Sequence, residues 1–406
     1  MDPWLTIVGL HEDGLDGLTP AARAAVDQAE VLAGDARMLA MVPDDGRERL
    51  PWPKPLSKLF PDLEQCRPRK VVILASGDPL DHGVGALVVR AFPRGEWRIL
   101  PAPSSFALAR ARMGWSDGET ETLSIHNRPV AVLTGHLFDG VKLIVLARDG
   151  GSAAAVAALL TARGYGRSTI TVLERMGGVA EARIEGIAQD WKHDGRTADL
   201  NTLAIECVAE PGACVLPRTG GLPDQLFQTD GLLTKCEVRA VTLAALAPLP
   251  GQVLWDVGAG SGSIGIEWLR LAPRGRAVAI ERDQKRLPLI KANAEALGAD
   301  RLEIISGSAP DALGIISAPF APPDTVFIGG GIDTPGVFEA CWRALKPGGR
   351  LVANSVSLEG QRILFGLHAA HGGEMLQIAI GRAGPLGSMT GWRPLMPVVQ
   401  WTGIKV

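Results

Sequence analysis

The chain has 406 residues, of which 46% are hydrophobic and 21% charged, and its formal net charge is −3. This composition is too apolar and too evenly charged for a disordered chain, and it argues against a surface built to neutralise nucleic-acid phosphates. At about 150 residues per domain, the length predicts two or three domains, each able to bury a core.

Cysteine usage and apolar runs predict the compartment. The five cysteines are odd in number and form no CxxC pair, which is atypical of a disulfide framework or a zinc site. No apolar run approaches the roughly 20 residues needed to span a bilayer, and no secretory signal is readable. We therefore expect a cytoplasmic protein without a membrane partner.

The first half of the sequence alternates strand and helix patterns. Thr19 is expected to cap a helix that begins at Pro20, and Ser152 to cap a second one. Such alternation is typical of a mainly parallel or mixed sheet covered by helices. The expected strands are Trp4–Gly9, Val71–Ala75, Trp97–Leu100, Lys142–Ala147 and Thr169–Leu173, and the expected helices include Ser105–Met113 and Ser152–Arg163.

A stretch rich in proline, glycine and polar residues separates the two halves, between Ala209 and Gly231. Such composition is typical of a connector. We therefore predict a first domain over residues 1–208, a linker over 209–220 and a second domain over 221–406.

The second half predicts a doubly wound nucleotide-binding sheet, because strands and helices alternate after a glycine-rich turn. A helix over 234–245 comes first. The expected strands are Val253–Val257, Ala277–Glu281, Leu302–Ser306, Thr325–Ile328, Arg350–Ser355, Glu374–Gly381 and Pro397–Thr402. The expected helices are Ser263–Leu271, Gln284–Leu297, Val337–Leu345 and Leu358–His371.

The clearest motif is DVGAGSG at residues 256–262, between a predicted strand and a predicted helix. Glycines let the backbone turn tightly and approach a ligand, and a helix N-terminus offers free N–H groups. Glu281 ends the next strand, where a carboxylate can accept from both hydroxyls of a ribose. A structural turn or a dinucleotide site are the alternatives. The turns at 307–310 and 329–331 follow later strands and agree with a ligand at this edge.

The first half carries weaker motifs, SGDP at residues 76–79 and PAPSS at 101–105. Each follows a predicted strand, so both are expected at one sheet edge. On physical grounds alone, Asp78 as a helix cap and Ser105 as an N-cap are the slightly favoured interpretation.

Longer segments carry a resemblance to two methyltransferase families. In the first half, residues 76–79, 101–115, 172–178 and 200–206 resemble the tetrapyrrole (class III) methyltransferases, in particular the CbiE type. In the second half, residues 221–227, 230–240, 255–268, 327–331 and 350–356 resemble the CbiT type, whose fold is the Rossmann-like class I methyltransferase with a seven-stranded, mostly parallel sheet. In this order the halves are similar to the bifunctional, CobL-type precorrin methyltransferases.

The resemblance implies an enzyme of cobalamin biosynthesis with two S-adenosylmethionine (SAM) sites and no metal. It would methylate carbons 5 and 15 of a precorrin (precorrin-6B or 6Y) and remove the ring C (C12) acetate carboxyl, giving precorrin-8x. A homo-oligomer is implied as well, and a nucleic-acid partner is not. The implied SAM-binding residues are Thr234, Gly258, Ala259, Gly260, Ser261, Gly262, Glu281 and Ala309 in the second half and Gly77, Asp78, Ser104, Ser105 and Asn201 in the first.

Three residues depart from the family patterns. His11 and Asn127 stand where glycine is usual in the first half, and Ser308 stands where aspartate is frequent in the second. The departures bear on the conformations of two loops and on contacts with the adenine.

Arginine is the residue expected to bind a polycarboxylate substrate, because guanidinium pairs bidentately with carboxylate. The candidates are Arg239, Arg382 and Arg393, of which the last two flank a stretch, Ala383–Trp392, that we expect to form a lid. A solvated surface charge is the alternative for each. His368 and His371 lie one helical turn apart, but no third ligand accompanies them, so we expect no metal site.

Two other functions stay open. One is a class I methyltransferase of another acceptor such as RNA, which the charge balance disfavours. The other is a tetrapyrrole-binding protein that passes intermediates on while one half is inactive, for which His11 is the motivating feature.

Overall fold

The structure is a computed structural model, and it describes residues 3–192 and 197–406. The chain divides into two compact units, Met1–Val130 with Leu137–Cys214 and Ala131–His136 with Val215–Val406. Among the described residues, no helix is both long and apolar enough to cross a membrane.

The first unit opens with a five-stranded parallel sheet. Its strands are β1 (Leu5–Leu10), β2 (Val31–Gly34), β3 (Glu48–Pro51), β4 (Val71–Ser76) and β5 (Trp97–Leu100), in the order β3-β2-β4-β1-β5. The helices are α1 (Pro20–Asp27), α2 (Ala36–Ala40), α3 (Leu59–Gln65), α4 (Gly85–Ala91) and α5 (Ser105–Met113). Leu5 and Ile7 belong to one hydrophobic cluster and Val8 and Leu10 to another, so β1 is buried on both faces. Thr19 caps α1 as predicted, accepting from the N–H of Ala22 at 3.3 Å.

The same unit contains a second, mostly antiparallel sheet. Its strands are β6 (Thr120–Ser124), β7 (Lys142–Leu146), β8 (Thr169–Glu174), β9 (Ala182–Ile187) and β10 (Asn201–Glu206), in the order β6-β7-β10-β8-β9, with α6 (Ser152–Ala162) beside them. The expected cap of α6 is wrong. Gly151 is the N-cap, because the Ser152 hydroxyl instead accepts from the N–H groups of Arg148 and Asp149 at 3.0 and 3.1 Å.

The second unit is built on the predicted seven-stranded sheet, which is mostly parallel. Its strands are β11 (Val253–Val257), β12 (Arg276–Glu281), β13 (Leu302–Ser306), β14 (Thr325–Ile328), β15 (Arg350–Ser355), β16 (Glu374–Ile378) and, after a hairpin, β19 (Val398–Ile404). Their order is β13-β12-β11-β14-β15-β19-β16. Only β19 runs antiparallel to the other six strands. The helices are α7 (Cys236–Leu246), α8 (Ser263–Leu271), α9 (Leu287–Ala296), α10 (Val337–Ala344) and α11 (Leu358–His371).

The stretch expected to form a lid is a two-stranded hairpin, β17 (Gly381–Leu386) with β18 (Met389–Pro394). Arg382 and Arg393 lie directly opposite each other in this hairpin. At the base of the hairpin, the Arg382 guanidinium donates to both carboxylate oxygens of Glu237, at 3.0 and 2.6 Å.

A completely buried arginine holds the second unit together. Arg239 on α7 donates from Nε to Glu267 on α8 at 2.7 Å and from Nη1 to Asp224 at 2.8 Å. It also donates to the backbone carbonyls of Leu222 and Thr234. These bonds satisfy a buried charge and join α7, α8 and the segment that precedes α7.

Replacing Arg239 with methionine should destabilise the second unit by about 3–5 kcal/mol, because Glu267 would remain buried without its cation. Urea unfolding measures the loss. Lys291→Met is the control, since its pair with Glu295 is exposed and should contribute less than about 1 kcal/mol. Equal losses in the two variants would contradict the assignment.

Candidate functional site

The glycine-rich segment after β11 borders a cavity of about 280 Å³ in the second unit. The loops that follow β11, β12, β13 and β14 all reach it, because the carboxyl ends of parallel strands share one edge of the sheet. Its lining includes Leu232, Thr234, Gly258, Ala259, Gly260, Ser261, Glu281, Arg282, Arg286, Gly307, Ser308, Ala309, Gly329, Gly330, Gly331 and Thr334.

Two backbone segments pass very close to each other at this cavity. Gly258 has a φ of +71°, and a Cβ at this position would lie 2.8 Å from the backbone N and O of Gly330. Gly260 also has a positive φ, of +60°. Side chains at these positions would be strained or would overlap the neighbouring loop. The glycine spacing in the sequence therefore reflects two backbones that pass each other closely.

Glu281 at the end of β12 is almost completely buried beside the glycine loop. Its Oε2 accepts from the N–H of Gly260 at 2.8 Å, and its Oε1 accepts from the N–H of Asp283 at 2.9 Å. Each carboxylate oxygen can accept more than one hydrogen bond. Glu281 can therefore fix the loop and still accept from hydroxyl groups of a ligand.

Asp256, two residues before the first glycine, is 1% exposed. Its Oδ2 accepts from the N–H of Gly265 on α8 at 2.9 Å, whereas its Oδ1 has no partner among the described residues. Burial, with a smaller contribution from the charge of Glu281, raises the pKa of Asp256 to about 7.

A segment that we call the strap, residues 221–234, also lines the cavity, through Leu232 and Thr234. Asp230 of the strap accepts from Nε of Arg286 at 2.8 Å. The pKa of Asp230 is lowered because this guanidinium stabilises its charged form.

Seven of the eight residues expected to bind a ligand in this unit line the cavity. They are Thr234, Gly258, Ala259, Gly260, Ser261, Glu281 and Ala309. Gly262 lies outside the lining and is the N-cap of α8, with a φ of +78°. Leu232, Arg282, Arg286 and Thr334 line the cavity without having been predicted. Of these four residues, only Arg282 could have been inferred from the sequence, because it directly follows the predicted site residue Glu281.

In the first unit, three loops meet at the carboxyl edge of the parallel sheet. The N–H of Gly77 donates to the carbonyl of Leu10 at 3.0 Å, and the N–H of Ala102 donates to the carbonyl of Gly77 at 3.4 Å. A Cβ on Gly9 would overlap both Gly77 and Ala102. The loops after β1, β4 and β5 therefore form one surface of closely packed backbone.

The predicted polar residues of this unit make local contacts. Asp78 accepts from the N–H of Leu80 at 2.8 Å, so it stabilises a turn and does not cap a helix. Ser104, and not Ser105, is the N-cap of α5 and accepts from the N–H of Ala107 at 3.2 Å. Asn201 begins β10 in the second sheet.

Asn201 is nine-tenths buried. Its Nδ2 donates to the carbonyls of Asp149 and Ala198 at 3.2 and 2.7 Å, and its Oδ1 has no partner in the part of the chain that the structure describes. The Oδ1 of Asn201 can therefore accept a hydrogen bond from a donor outside the described residues.

The three departures from the family patterns do not strain the backbone. Neither His11 nor Asn127 is among the described non-glycine residues with positive φ, so neither position requires glycine. Burial lowers the pKa of His11. Ser308 is exposed, and its hydroxyl donates to the carbonyl of Ala309 at 3.3 Å.

The three candidate arginines differ in what they can contact. The expectation that Arg239 binds substrate is wrong, because its side chain has no exposed surface and all its nitrogens are occupied within the unit. Arg382 is partly exposed but paired with Glu237 and Asp224. Arg393 is exposed, and within residues 3–192 and 197–406 no carboxylate pairs with it.

Of the two histidines on α11, His371 is part of an aromatic cluster. The His371 ring lies 5.3, 5.1 and 6.5 Å from those of Phe338, Trp342 and Trp401. The described residues contain no group of three or more histidine, cysteine, aspartate or glutamate side chains that could hold a metal ion.

Comparisons with known proteins match both units. A model of the tetrapyrrole (corrin/porphyrin) methylases matches residues 5–190, and one of the precorrin methyltransferase domain matches residues 225–405. A precorrin-6Y C(5,15)-methyltransferase [decarboxylating] of Sinorhizobium sp is 43% identical over 406 residues, covering 100% of this chain and 97% of the relative.

Two shorter relatives each match less than half of the chain. A probable cobalt-precorrin-6B C(15)-methyltransferase (decarboxylating) of Pyrobaculum calidifontis is 36% identical over 44% of this chain and 93% of its own length. A cobalt-precorrin-7 C(5)-methyltransferase of Salmonella typhimurium is 34% identical over 42% of this chain and 85% of its own length.

The titration of Asp256 should be visible in the stability of the second unit. An acid whose pKa rises from 3.8 to about 7 on folding stabilises the fold below the unfolded pKa, and this contribution is lost as the pH rises through the folded pKa. The slope is at most about 1.4 kcal/mol per pH unit. Asp256→Asn does not titrate, so its stability relative to the natural protein should increase between pH 5 and pH 8.

Urea unfolding at several pH values measures this difference. Glu295→Gln, which removes an exposed carboxylate from α9, is the matched control and should give the same difference at each pH. A flat difference for Asp256→Asn would show that Asp256 is ionised at pH 5 in the folded protein.

Proposed function

Since the chain belongs to the family of precorrin-6Y C(5,15)-methyltransferases (decarboxylating), we propose that it methylates carbons 5 and 15 of a precorrin and releases the ring C acetate carboxyl as CO2. The observation that carries this proposal is the 43% identity along the full length of a relative with that activity in its name. The product would be precorrin-8x, in cobalamin biosynthesis.

We assign the two methylations to different units. The second unit would methylate carbon 15 and decarboxylate, and the first would methylate carbon 5. The two shorter relatives support this division, because each carries one of these activities in its name and matches less than half of the chain.

The second unit would hold SAM in the cavity beside the glycine loop. Gly258 lets the glycine loop pack directly against Gly330 at the cavity, because no side chain separates the two backbones. Glu281 has lone pairs left for ribose hydroxyls, and Thr234 and Ala309 would border the ligand at other sides. SAM supplies an electrophilic methyl group on a sulfonium sulfur. The volume of about 280 Å³ is near the lower end for small-molecule sites.

The first unit would hold a second SAM molecule at the meeting point of its three loops. Gly77, Asp78, Ser104, Ser105 and Asn201 are the residues that we propose for it. The packed backbone around Gly9 and Gly77 supports the position, and the buried, unpartnered Oδ1 of Asn201 offers an acceptor for a donor of the ligand.

The protein's contribution to the chemistry is positioning. The meso carbons of the macrocycle are electron-rich, so an activated side-chain nucleophile is not required, and the conjugated ring can accept the electrons of the departing carboxyl. The units must align the carbon with the methyl group and exclude water. This mechanism assigns no role to a metal.

Arg393 is our candidate for binding a substrate carboxylate. It faces Arg382 across the hairpin, and like charges in such a pair repel unless each is neutralised. Arg382 has Glu237, whereas Arg393 donates, among the residues that the structure describes, only to the carbonyl of Pro385, at 2.7 Å. A carboxylate of the substrate would neutralise Arg393, with Arg382 as a weaker candidate.

The proposal also covers the oligomeric state, the binding partners and the cellular compartment of the protein. We propose a cytoplasmic homo-oligomer that binds neither nucleic acid nor membrane. The net charge of −3 supports the absence of a nucleic-acid surface.

The product of the natural protein tests the reaction. Incubation with the precorrin substrate and SAM should give a product that has gained two methyl groups and lost one CO2, measured by mass spectrometry. Reactions without SAM should leave the mass unchanged. Any other sum of methyl groups and CO2 contradicts the proposed function.

Two glycine variants test the division between units. Gly258→Ala should reduce CO2 release at least tenfold, because alanine at a φ of +71° costs about 1–2 kcal/mol and its methyl group would overlap Gly330. Gly77→Ala, at a φ of +60°, should reduce methylation of carbon 5. Neither variant alone should complete the product, but a mixture should, whichever methylation comes first. Completion by either variant alone would contradict the division.

A further inference from the structure

Asn293 on α9 is 1% exposed and lies outside the cavity lining, yet its amide bonds to two segments that contribute to this lining, the strap and the glycine loop. Its Nδ2 donates to the carbonyl of Ser261 in the glycine loop at 2.9 Å. The same Nδ2 donates to the carbonyl of Gln228 in the strap at 2.9 Å, and its Oδ1 accepts from the N–H of Gln228 at 2.7 Å. One buried amide therefore connects the strap to the glycine loop.

The strap is fixed at its two ends by other groups. Glu267 accepts from the N–H groups of Gly221 and Leu222 at 2.5 and 3.2 Å, and Arg239 binds the carbonyls of Leu222 and Thr234. These contacts hold the strap to α7 and α8. In contrast, the contacts of Asn293 hold it to the glycine loop.

The position of the strap determines the shape of the cavity. Leu232 and Thr234 of the strap line the cavity together with Gly258, Gly260 and Ser261 of the glycine loop, and a Cβ on Gly260 would lie 3.8 Å from the carbonyl oxygen of Leu232. Gln228 is four residues before Leu232, and Ser261 follows Gly260 directly. Asn293 therefore binds the strap and the glycine loop close to the residues by which these two segments line the cavity.

We propose that Asn293 is a positioning residue for the methyl donor in the second unit. It fixes the distance between the strap and the glycine loop, so that the cavity has its binding shape before the ligand arrives. This proposal rests on the proposed function of the second unit. Preorganisation of this kind strengthens binding because less ordering remains to be done when the ligand enters.

The test is the affinity of the full-length protein for S-adenosylhomocysteine, with the KM for SAM and the kcat of CO2 release. Asn293→Ala should weaken S-adenosylhomocysteine binding at least tenfold and raise the KM for SAM by a similar factor, with kcat within about threefold of the natural value. Asn293→Asp should weaken binding further. It keeps the acceptor for Gln228 but places a carboxylate oxygen against the carbonyl of Ser261.

Asn354→Ala is the matched control. Asn354 on β15 donates to the Thr242 hydroxyl at 2.8 Å and accepts from Gln400 at 2.9 Å, so its loss also breaks an amide network in the same unit. It contacts neither the strap nor the glycine loop, and its S-adenosylhomocysteine affinity should equal that of the natural protein. A loss of folded protein alone would lower kcat and leave KM unchanged.

The outcomes separate the two proposals. Unchanged S-adenosylhomocysteine affinity in Asn293→Ala, or an equal loss in Asn354→Ala, overturns the role of Asn293 while the proposed function stands. Absence of both CO2 release and S-adenosylhomocysteine binding in the natural protein overturns the proposed function as well. Should Asn293→Ala not fold, Asn293→Ser, which keeps one donor, must still weaken binding at least threefold.

Discussion

The cavity of the second unit depends on the close passage of two backbones, Gly258 and Gly330. A single methyl group on Gly258 would lie 2.8 Å from backbone atoms of the neighbouring loop. Since the loops after four parallel strands end at this edge, their separation sets how much space remains between them.

The polar groups behind the cavity hold these backbones in place. Glu281 binds the N–H of Gly260 from one side, and Asn293 binds the carbonyl of Ser261 from another. Arg239 and Glu267 bind backbone groups of the strap. Each of these groups is buried and bonded to backbone, so removing one leaves a backbone group without its hydrogen-bond partner.

The first unit uses the same constraint in a different sheet. Gly9 and Gly77 allow three loops to meet where side chains would overlap. Under the proposed function, a chain with two such edges would serve one substrate at two carbons, because each unit would need only to present a methyl donor to a nucleophilic carbon. This agrees with a family whose name combines two methylations and a decarboxylation.

The sequence by itself determined the seven-stranded sheet and the helices of the second unit and most of its cavity lining, but not the hairpin strands β17 and β18. Strong alternation and a specific glycine spacing are local properties, so Val253–Val257 and Ser263–Leu271 have the predicted bounds. The short β2 and β3 and the edge strand β9 were not predicted. Four residues show little periodicity, and the exposed pattern of β9 lacks an apolar face.

Only the tertiary structure decided the partners of individual polar side chains. Arg239 was expected to meet a substrate and instead binds Glu267, 28 residues later in the chain. Asn293 carried no signal, because its partners Gln228 and Ser261 lie 65 and 32 residues away. Sequence spacing shows which residues share a helix face or follow a strand, but the pairing of distant groups is fixed by how the elements pack.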